Sequence, residues 1–531
     1  MHWSGVKVVK KKVLYTIYIL LLPVYAFYIY YCFARIPLTS DMANLILEAD
    51  DILHGNLFLS GWYLTGATFL TTELLYFTIG TLINGVNQQA YILAETLMFV
   101  AAFSSALLLL KFSSRYETPL CYILLFISLT AVPSIGWCTM AKVHLGWVGW
   151  GFLALYFLAK AHDRFAQGET KQPSNTAVQF LLAASLFLTL AITGDALAIL
   201  TIAVPTLIVS SLELIKQFNI TRTWKSTNKS SLYAILATVV PIVLAKLINV
   251  LYLKAGKADI TYQVDGALHF LSYNDITNSL INYAFNISTI FNADIQYLSL
   301  SLFYVITLLP RLIILLVALY VVFRNVLRSL LLRLSEDYVS LILSWGIFIV
   351  SSVCILSNFN AGRYYSYAPF ALVLILVRYL QAAPLQIIST KLSKPIILAT
   401  ACFFMAASLY PPVSFSAAIN PRTEMLINVL KNYNLTSGYG SYWCSSVITA
   451  ASNKEVTVRS ISVNNSKLSL MTWFCKKSWY DAPANFVITH PAATTMTEND
   501  VLRDLGQPQA IIPAADFKIY VYDHDISPLV R

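Results

Sequence analysis

Two adjacent stretches decide the fold: VLYTIYILLLPVYAFYIYYCFA at 13–34 and RIPLTSDMANLILEADDILHGN at 35–56. The first is apolar and uncharged over a length that suits one bilayer crossing, about 20 residues. It follows Lys7, Lys10, Lys11 and Lys12. It is too long for a signal-peptide core and no small-residue cleavage site follows it, so it reads as an uncleaved first span. The second stretch changes period. Met42, Leu45, Ile46, Ala49, Ile52 and Leu53 form one stripe at helical spacing. Asp41, Asn44, Glu48 and Asp51 fall together on its flank, while Asp50 points elsewhere. An amphipathic helix lying on the outer membrane surface would present those three carboxylates and one amide along an edge. Two plainer readings stand beside this one. Asp41, after Thr39 and Ser40, suits a helix start, and an acidic edge can be a solvated face.

Composition supports the membrane reading. The 531 residues are 57% hydrophobic and 12% charged, with mean hydropathy +0.66. A soluble chain carries about a quarter charged residues, so a soluble enzyme, a disordered protein and a disulfide-rich module are excluded. Besides 13–34, apolar runs occupy 89–110, 119–137, 146–161, 176–194, 196–215, 231–253, 299–323, 338–357, 364–382 and 395–415, about eleven spans in all. The apolar stretch 57–85 and the short run 146–161 leave that count open by one or two.

Charge sets the orientation. Lys7 to Lys12, Lys111 with Arg115, Lys160 with Arg164 and Lys171, Lys216 to Lys229, Arg324 to Arg333, and Lys391 with Lys394 all fall on alternate connections. The positive-inside rule therefore places the amino terminus in the cytoplasm and, after an odd number of spans, the carboxyl terminus outside. The acids Asp41, Glu48, Asp51, Glu73, Asp195, Asp259, Asp265, Asp275 and Asp294 collect on the outer side. The net charge of +10 is thus an orientation signal and no nucleic-acid footprint.

The chain changes character near Pro411-Pro412. Residues 1–415 read as the transmembrane bundle, with outer loops 35–88 and 254–298, and 416–531 as a small extracytoplasmic α/β domain. Strands are expected around 456–458, 486–488 and 518–522, and helices over 422–433 and 497–505. Cys444 and Cys475 lie in this domain, in a compartment that permits disulfides, and are expected to pair; two buried thiols are the alternative.

Other outward polar residues are candidates for binding. Lys142 and His144 occupy the short loop after the third span, as phosphate or sugar ligands or as part of an interfacial belt with Trp137, Trp147 and Trp150. Asp195 is nearly all of the turn between two spans, as a second acid or as a helix cap. Glu95, Lys246 and Arg311 lie within spans, where ionisable groups are costly and face a cavity or a partner. Arg311 follows Pro310, whose helix break would expose it to a phosphate; otherwise it sits at the outer interface. His269, Asp265, Asp275 and Asp294 lie in a loop rich in Asn, Ser and Tyr.

An acid placed just after span one in an amphipathic loop helix resembles the GT-C superfamily of integral membrane glycosyltransferases. The matching residues are Ser40-Asp41-Met42-Ala43-Asn44 and Glu48 to Asn56. The resemblance implies a mainly α, polytopic helical bundle with a C-terminal outer domain. It implies a sugar moved from a polyprenyl-phosphate donor to a cell-surface glycan or lipid acceptor, with Asp41 as general base. It gives Arg363, with Tyr364, the stabilisation of the leaving phosphate, an interfacial anchor with Tyr365 and Tyr367 being the alternative. Asn44, Glu48, Asp51, Lys142, His144, Asp195 and Arg311 become substrate-binding candidates. Met42 and Ala43 depart from the paired-acid motif of several members, which leaves a divalent metal an open question and no cofactor assigned. The setting implied is a bacterial plasma membrane, with the lipid bilayer and the lipid-linked donor as partners. An O-antigen polymerase or ligase and a flippase or transporter of lipid-linked saccharide are the competing classes. Sparse outer arginines weigh against the first, and no visible internal repeat against the second. No nucleotide-binding or hydrolase motif is present, which suits a lipid-linked donor.

Overall fold

The computed structural model describes residues 22–112, 120–130, 135–166, 175–221, 229–261, 269–293, 302–334, 337–359, 361–382, 390–409, 421–490 and 496–530. The lysine cluster at 7–12, Asp265 and Asp294 lie outside them. The chain divides into two compact units. The first comprises 1–32, 96–247 and 268–414, and the second 33–95, 248–267 and 415–531. The first loop, assigned from sequence to the bundle, is therefore grouped with the carboxyl-terminal segment.

Helices in chain order begin with α1 (Leu22–Phe33), α2 (Ser40–Leu53), α3 (Glu73–Asn84), α4 (Gln88–Phe112), α5 (Leu120–Thr130) and α6 (Ile135–Ala141). They continue with α7 (Gly146–Ala166), α8 (Asn175–Gly194), α9 (Val204–Thr221), α10 (Lys229–Gly256), α11 (Tyr273–Ile290) and α12 (Leu302–Leu330). The last are α13 (Tyr338–Leu356), α14 (Ala368–Ala382), α15 (Thr390–Leu409), α16 (Pro421–Asn432), α17 (Ser446–Ala451) and α18 (Glu498–Leu505). Within the described residues each of the eleven apolar runs overlaps a helix, the run 119–137 overlapping two. Among the described residues seven helical segments are long and apolar enough to cross a membrane, and α1, α5 and α15 supply shorter apolar helices. The protein is an integral membrane protein. The stretch 57–85 contains only a short strand and the 12-residue α3, too short to span.

In the first unit α13 and α14 form the centre. Within Gly362–Ala382, 78% of the most apolar window is buried, against 22% for α10, which is therefore peripheral. α13 packs on α9, α11, α12 and α14, and α7 lies along α8. Gly346 makes one of these approaches possible: a Cβ there would stand 2.4 Å from the Thr201 carbonyl oxygen. At one end of the pair, Asp337 caps α13 by accepting from the Ser340 amide and takes Arg378 Nε and Nη2 of α14 at 2.8 and 2.6 Å. α12 runs unbroken through Pro310, so the helix break expected there is not found; Arg311 lies 5.8 Å from the Phe404 ring centroid instead. Lys246 is exposed on α10.

The second unit holds two sheets. Strands β1 (Trp62–Leu64), β2 (Asp259–Ile260) and β6 (Cys475–Lys476) form the smaller, in the order β2-β1-β6. The larger has six strands, β3 (Ser437–Gly440), β4 (Thr457–Asn464), β5 (Lys467–Leu470), β7 (Phe486–Thr489), β8 (Ala510–Ala514) and β9 (Phe517–Val521). Their order is β5-β4-β3-β7-β9-β8, with β3 parallel to both β4 and β7. The strands and helices expected after residue 416 coincide with β4, β7, β9, α16 and α18. α18 opens on a capping box between Thr497 and Asp500 and stops at Gly506, whose φ of +79° favours glycine. The expected disulfide is absent. Cys444 and Cys475 are both free and buried. Cys475 lies in β6 with its thiol donating to the Met471 carbonyl, whereas Cys444 lies in the turn that follows β3. Burial pushes the Cys475 thiol up to about 11, which keeps it a thiol at neutral pH.

Candidate functional site

In the second unit the site is built on α2. Met42, Leu45, Ile46 and Ala49 of the expected stripe are fully buried, each large side chain contributing about 1.5–3 kcal/mol of burial. The polar flank is not a solvated edge on a membrane surface. Asn44 and Glu48 are 0% and 1% exposed, and Asp41 and Asp51 are partly buried. The reason is that this flank carries protein contacts of its own. α17 packs on α2, and the turn after β3 delivers Tyr442 to its first residues.

Tyr442 Oη donates to Asp41 Oδ1 at 2.5 Å, and Asn44 Nδ2 approaches the same hydroxyl at 3.4 Å. Ser40 Oγ donates to the Tyr442 carbonyl, so consecutive residues of α2 bind the two ends of one tyrosine. Asp41 does not cap the helix, whose N-cap is Thr39. Asp51 accepts from Lys476 Nζ and Trp62 Nε1, both at 2.8 Å, and from Asn56 Nδ2 at 2.6 Å. Burial pushes its carboxyl up, but these bonds outweigh that and hold it below the usual carboxylate range. Glu48 differs. Its Oε1 finds no hydrogen-bond partner, and burial, reinforced by the Asp51 charge, raises it well above the ordinary range. Asn44 Oδ1 beside it on the helix is likewise unsatisfied. Asp50, set apart from this flank in the helical projection, pairs with Lys454 at 2.7 Å.

The first unit brings together four of the other candidates. His144 Nδ1 lies 2.7 Å from Asp195 Oδ2. A carboxylate accepts, so Nδ1 carries a proton and donates to it. Asp195 Oδ1 also accepts the Leu197 amide at 2.9 Å, so the capping role and the histidine contact coexist. The Tyr364 ring meets the His144 ring edge-on at 5.7 Å, and the Arg363 guanidinium lies 5.4 Å from the Tyr364 centroid. Gly362 permits this turn to lie on α6: a Cβ would come 2.7 Å from Met140 Sδ. Val143 and His144 hold φ of +55° and +93°, a conformation costly for a β-branched residue and of a kind that gathers at working sites. Trp137 and Trp147 are buried, as are Tyr365 and Tyr367, so they form packed interior and no interfacial belt. Lys142 is partly buried in the same loop.

Among the described residues no group of three or more His, Cys, Asp or Glu side chains is placed to hold a metal ion.

Sequence reasoning missed Tyr442, Lys476 and Trp62. The available signal for the first was the Gly438–Cys444 run of small and aromatic residues closing a strand.

No family model and no curated protein matches the sequence. A solved structure, ArnT from Cupriavidus metallidurans bound to undecaprenyl phosphate, is similar with a TM-score of 0.52 at 12% identity. The similarity covers 97% of this chain and 98% of that one. Along nearly its whole length the chain thus has the fold of the ArnT structure.

Proposed function

We propose that the protein is a membrane glycosyltransferase that moves a sugar from a polyprenyl-phosphate donor to a hydroxyl of a glycan or lipid on the outer face of a bacterial plasma membrane. The observation that carries this reading is the fold shared along nearly the whole chain with a structure that holds undecaprenyl phosphate. Asp41 is the general base. As the acceptor oxygen bonds to the anomeric carbon, its proton passes to the Asp41 carboxylate. The carbon–oxygen bond to phosphate breaks, and its electron pair leaves with the lipid phosphate. The candidates for stabilising a leaving phosphate are Arg363, Lys142 and His144, whose imidazole is held by Asp195 and packs on Tyr364. Glu48, buried and raised well above the ordinary carboxylate range, is the less suited of these acids to act as a base.

The test is transfer by membranes holding wild-type protein or Asp41→Asn. Both are given undecaprenyl-phosphate-linked glucose, mannose, arabinose and aminoarabinose, and lipid and glycan products are analysed. Loss of about 100-fold or more in the variant is expected. Equal transfer by both proteins sinks the role of Asp41, and movement of donor across proteoliposomes without covalent transfer favours a transporter.

A further inference from the structure

The six-stranded sheet has one place where its chain connections diverge. β3 lies between β4 and β7, both parallel to it. The connection after β3 runs through α17 to β4 on one side, and the one after β7 runs by way of α18 to β8 on the other, so the connections diverge at the carboxyl ends of β3 and β7. In open α/β sheets such a point forms a crevice into which a ligand or another segment fits. Here Ser441 to Ser445 emerge at that point, and the segment they meet is the start of α2.

Tyr442 is held there from several directions. Its carbonyl accepts from Ser40 Oγ and from Ser445 Oγ at 2.8 Å, and Ser445 Oγ is tied in turn to Ser460 Oγ of β4 at 2.7 Å. Its ring packs against Trp473 at 4.7 Å and Trp443 at 5.0 Å between centroids. The residue is 4% exposed, so little freedom is left to its hydroxyl. That hydroxyl donates to one oxygen of Asp41 while lying within reach of the Asn44 amide. A chain Asn44 N–H to Tyr442 O–H to Asp41 polarises each member and strengthens the last bond.

We infer that Tyr442 is a positioning residue for the Asp41 base, so that the carboxyl-terminal segment forms part of the catalytic apparatus. This rests on the reading of Asp41 as the base. A carboxylate with one oxygen pinned loses its rotation about the Cβ–Cγ bond. Orientation of this kind carries a large share of catalytic rate, and a misplacement of about 1 Å costs about 100-fold. The phenol donates to the ionised carboxylate that must receive the acceptor's proton, and the bond survives that transfer with little motion.

The experiment uses full-length protein in membranes and the best donor among the four undecaprenyl-phosphate sugars named above. Tyr442→Phe keeps the ring stack on Trp473 and removes only the donor. It is expected to lower kcat by about 10- to 100-fold with donor KM unchanged. Unchanged kcat in this variant, with Asp41→Asn inactive, overturns the positioning role and leaves the base assignment standing. Full activity of Asp41→Asn overturns both. A rise in KM alone also overturns it, because a merely structural or binding role moves KM. One further readout needs no donor: 3-fluorotyrosine incorporated at position 442 should change its fluorine resonance on Asp41→Asn. An unchanged resonance overturns the contact itself.

Discussion

Glu48 shows how much a single buried acid decides. Burial first, and the Asp51 charge second, keep it protonated where an unfolded chain would have released the proton. Folding therefore binds a proton, and by linkage stability falls as pH rises above the ordinary glutamate value of 4.5. Glu48→Gln removes that dependence. In thermal unfolding the variant should match wild type near pH 4.5 and exceed it by about 2 °C or more at pH 8. Parallel profiles would show that the side chain is ionised in the folded protein. The residue level is also where the sequence is least readable. Spacing grouped Asp41, Asn44, Glu48 and Asp51 correctly on one flank, because helical geometry is local. Spacing does not say what covers a flank, so an edge that could equally have been a solvated face proved to hold a buried glutamate and two aspartates with partners. Tyr442 escaped for the same reason: its significance comes from a partner far away in the chain.

At the level of elements, α2 was legible to its ends, since its stripe, its polar flank and its start at Thr39 are encoded within 15 residues. The strands after 456 were legible through alternation. The small sheet was not, because β1, β2 and β6 are two or three residues each and gain their hydrogen bonds only from one another. The clamp between α13 and α14 carries its own prediction. Arg378 is 6% exposed and binds Asp337 through two nitrogens, so removing the guanidinium strands a carboxylate in poorly solvated surroundings. Arg378→Met should cost about 3–5 kcal/mol, read as a lowered Tm in detergent. Adding Asp337→Asn should recover part of it, since the amide can still cap α13 without a stranded charge. An unchanged Tm for the single variant would show the pair to be solvated.

For the whole molecule, length and hydropathy sufficed for the bundle, and charge asymmetry for an expected orientation. A reporter active only outside the cytoplasm should work when fused after Arg531 and fail when fused before Met1. The opposite result would invert the topology on which Asp41 is assigned to the outer side. What composition could not reveal is that the compact units are discontinuous. The second gathers 33–95, 248–267 and 415–531, three segments separated by long spans of chain.

That discontinuity has a consequence for biosynthesis. Tyr442 follows Asp41 by 401 residues. At about 5–20 residues per second, a ribosome takes about 20–80 s to cover that interval. Throughout it, α2 has left the ribosome while the tyrosine that holds its acid has not been made. A product that ends before Tyr442 can insert its spans and still lack the partner of its base. On the proposed reading, a chain terminated before Tyr442 is expected to insert in the membrane without the contact that positions Asp41.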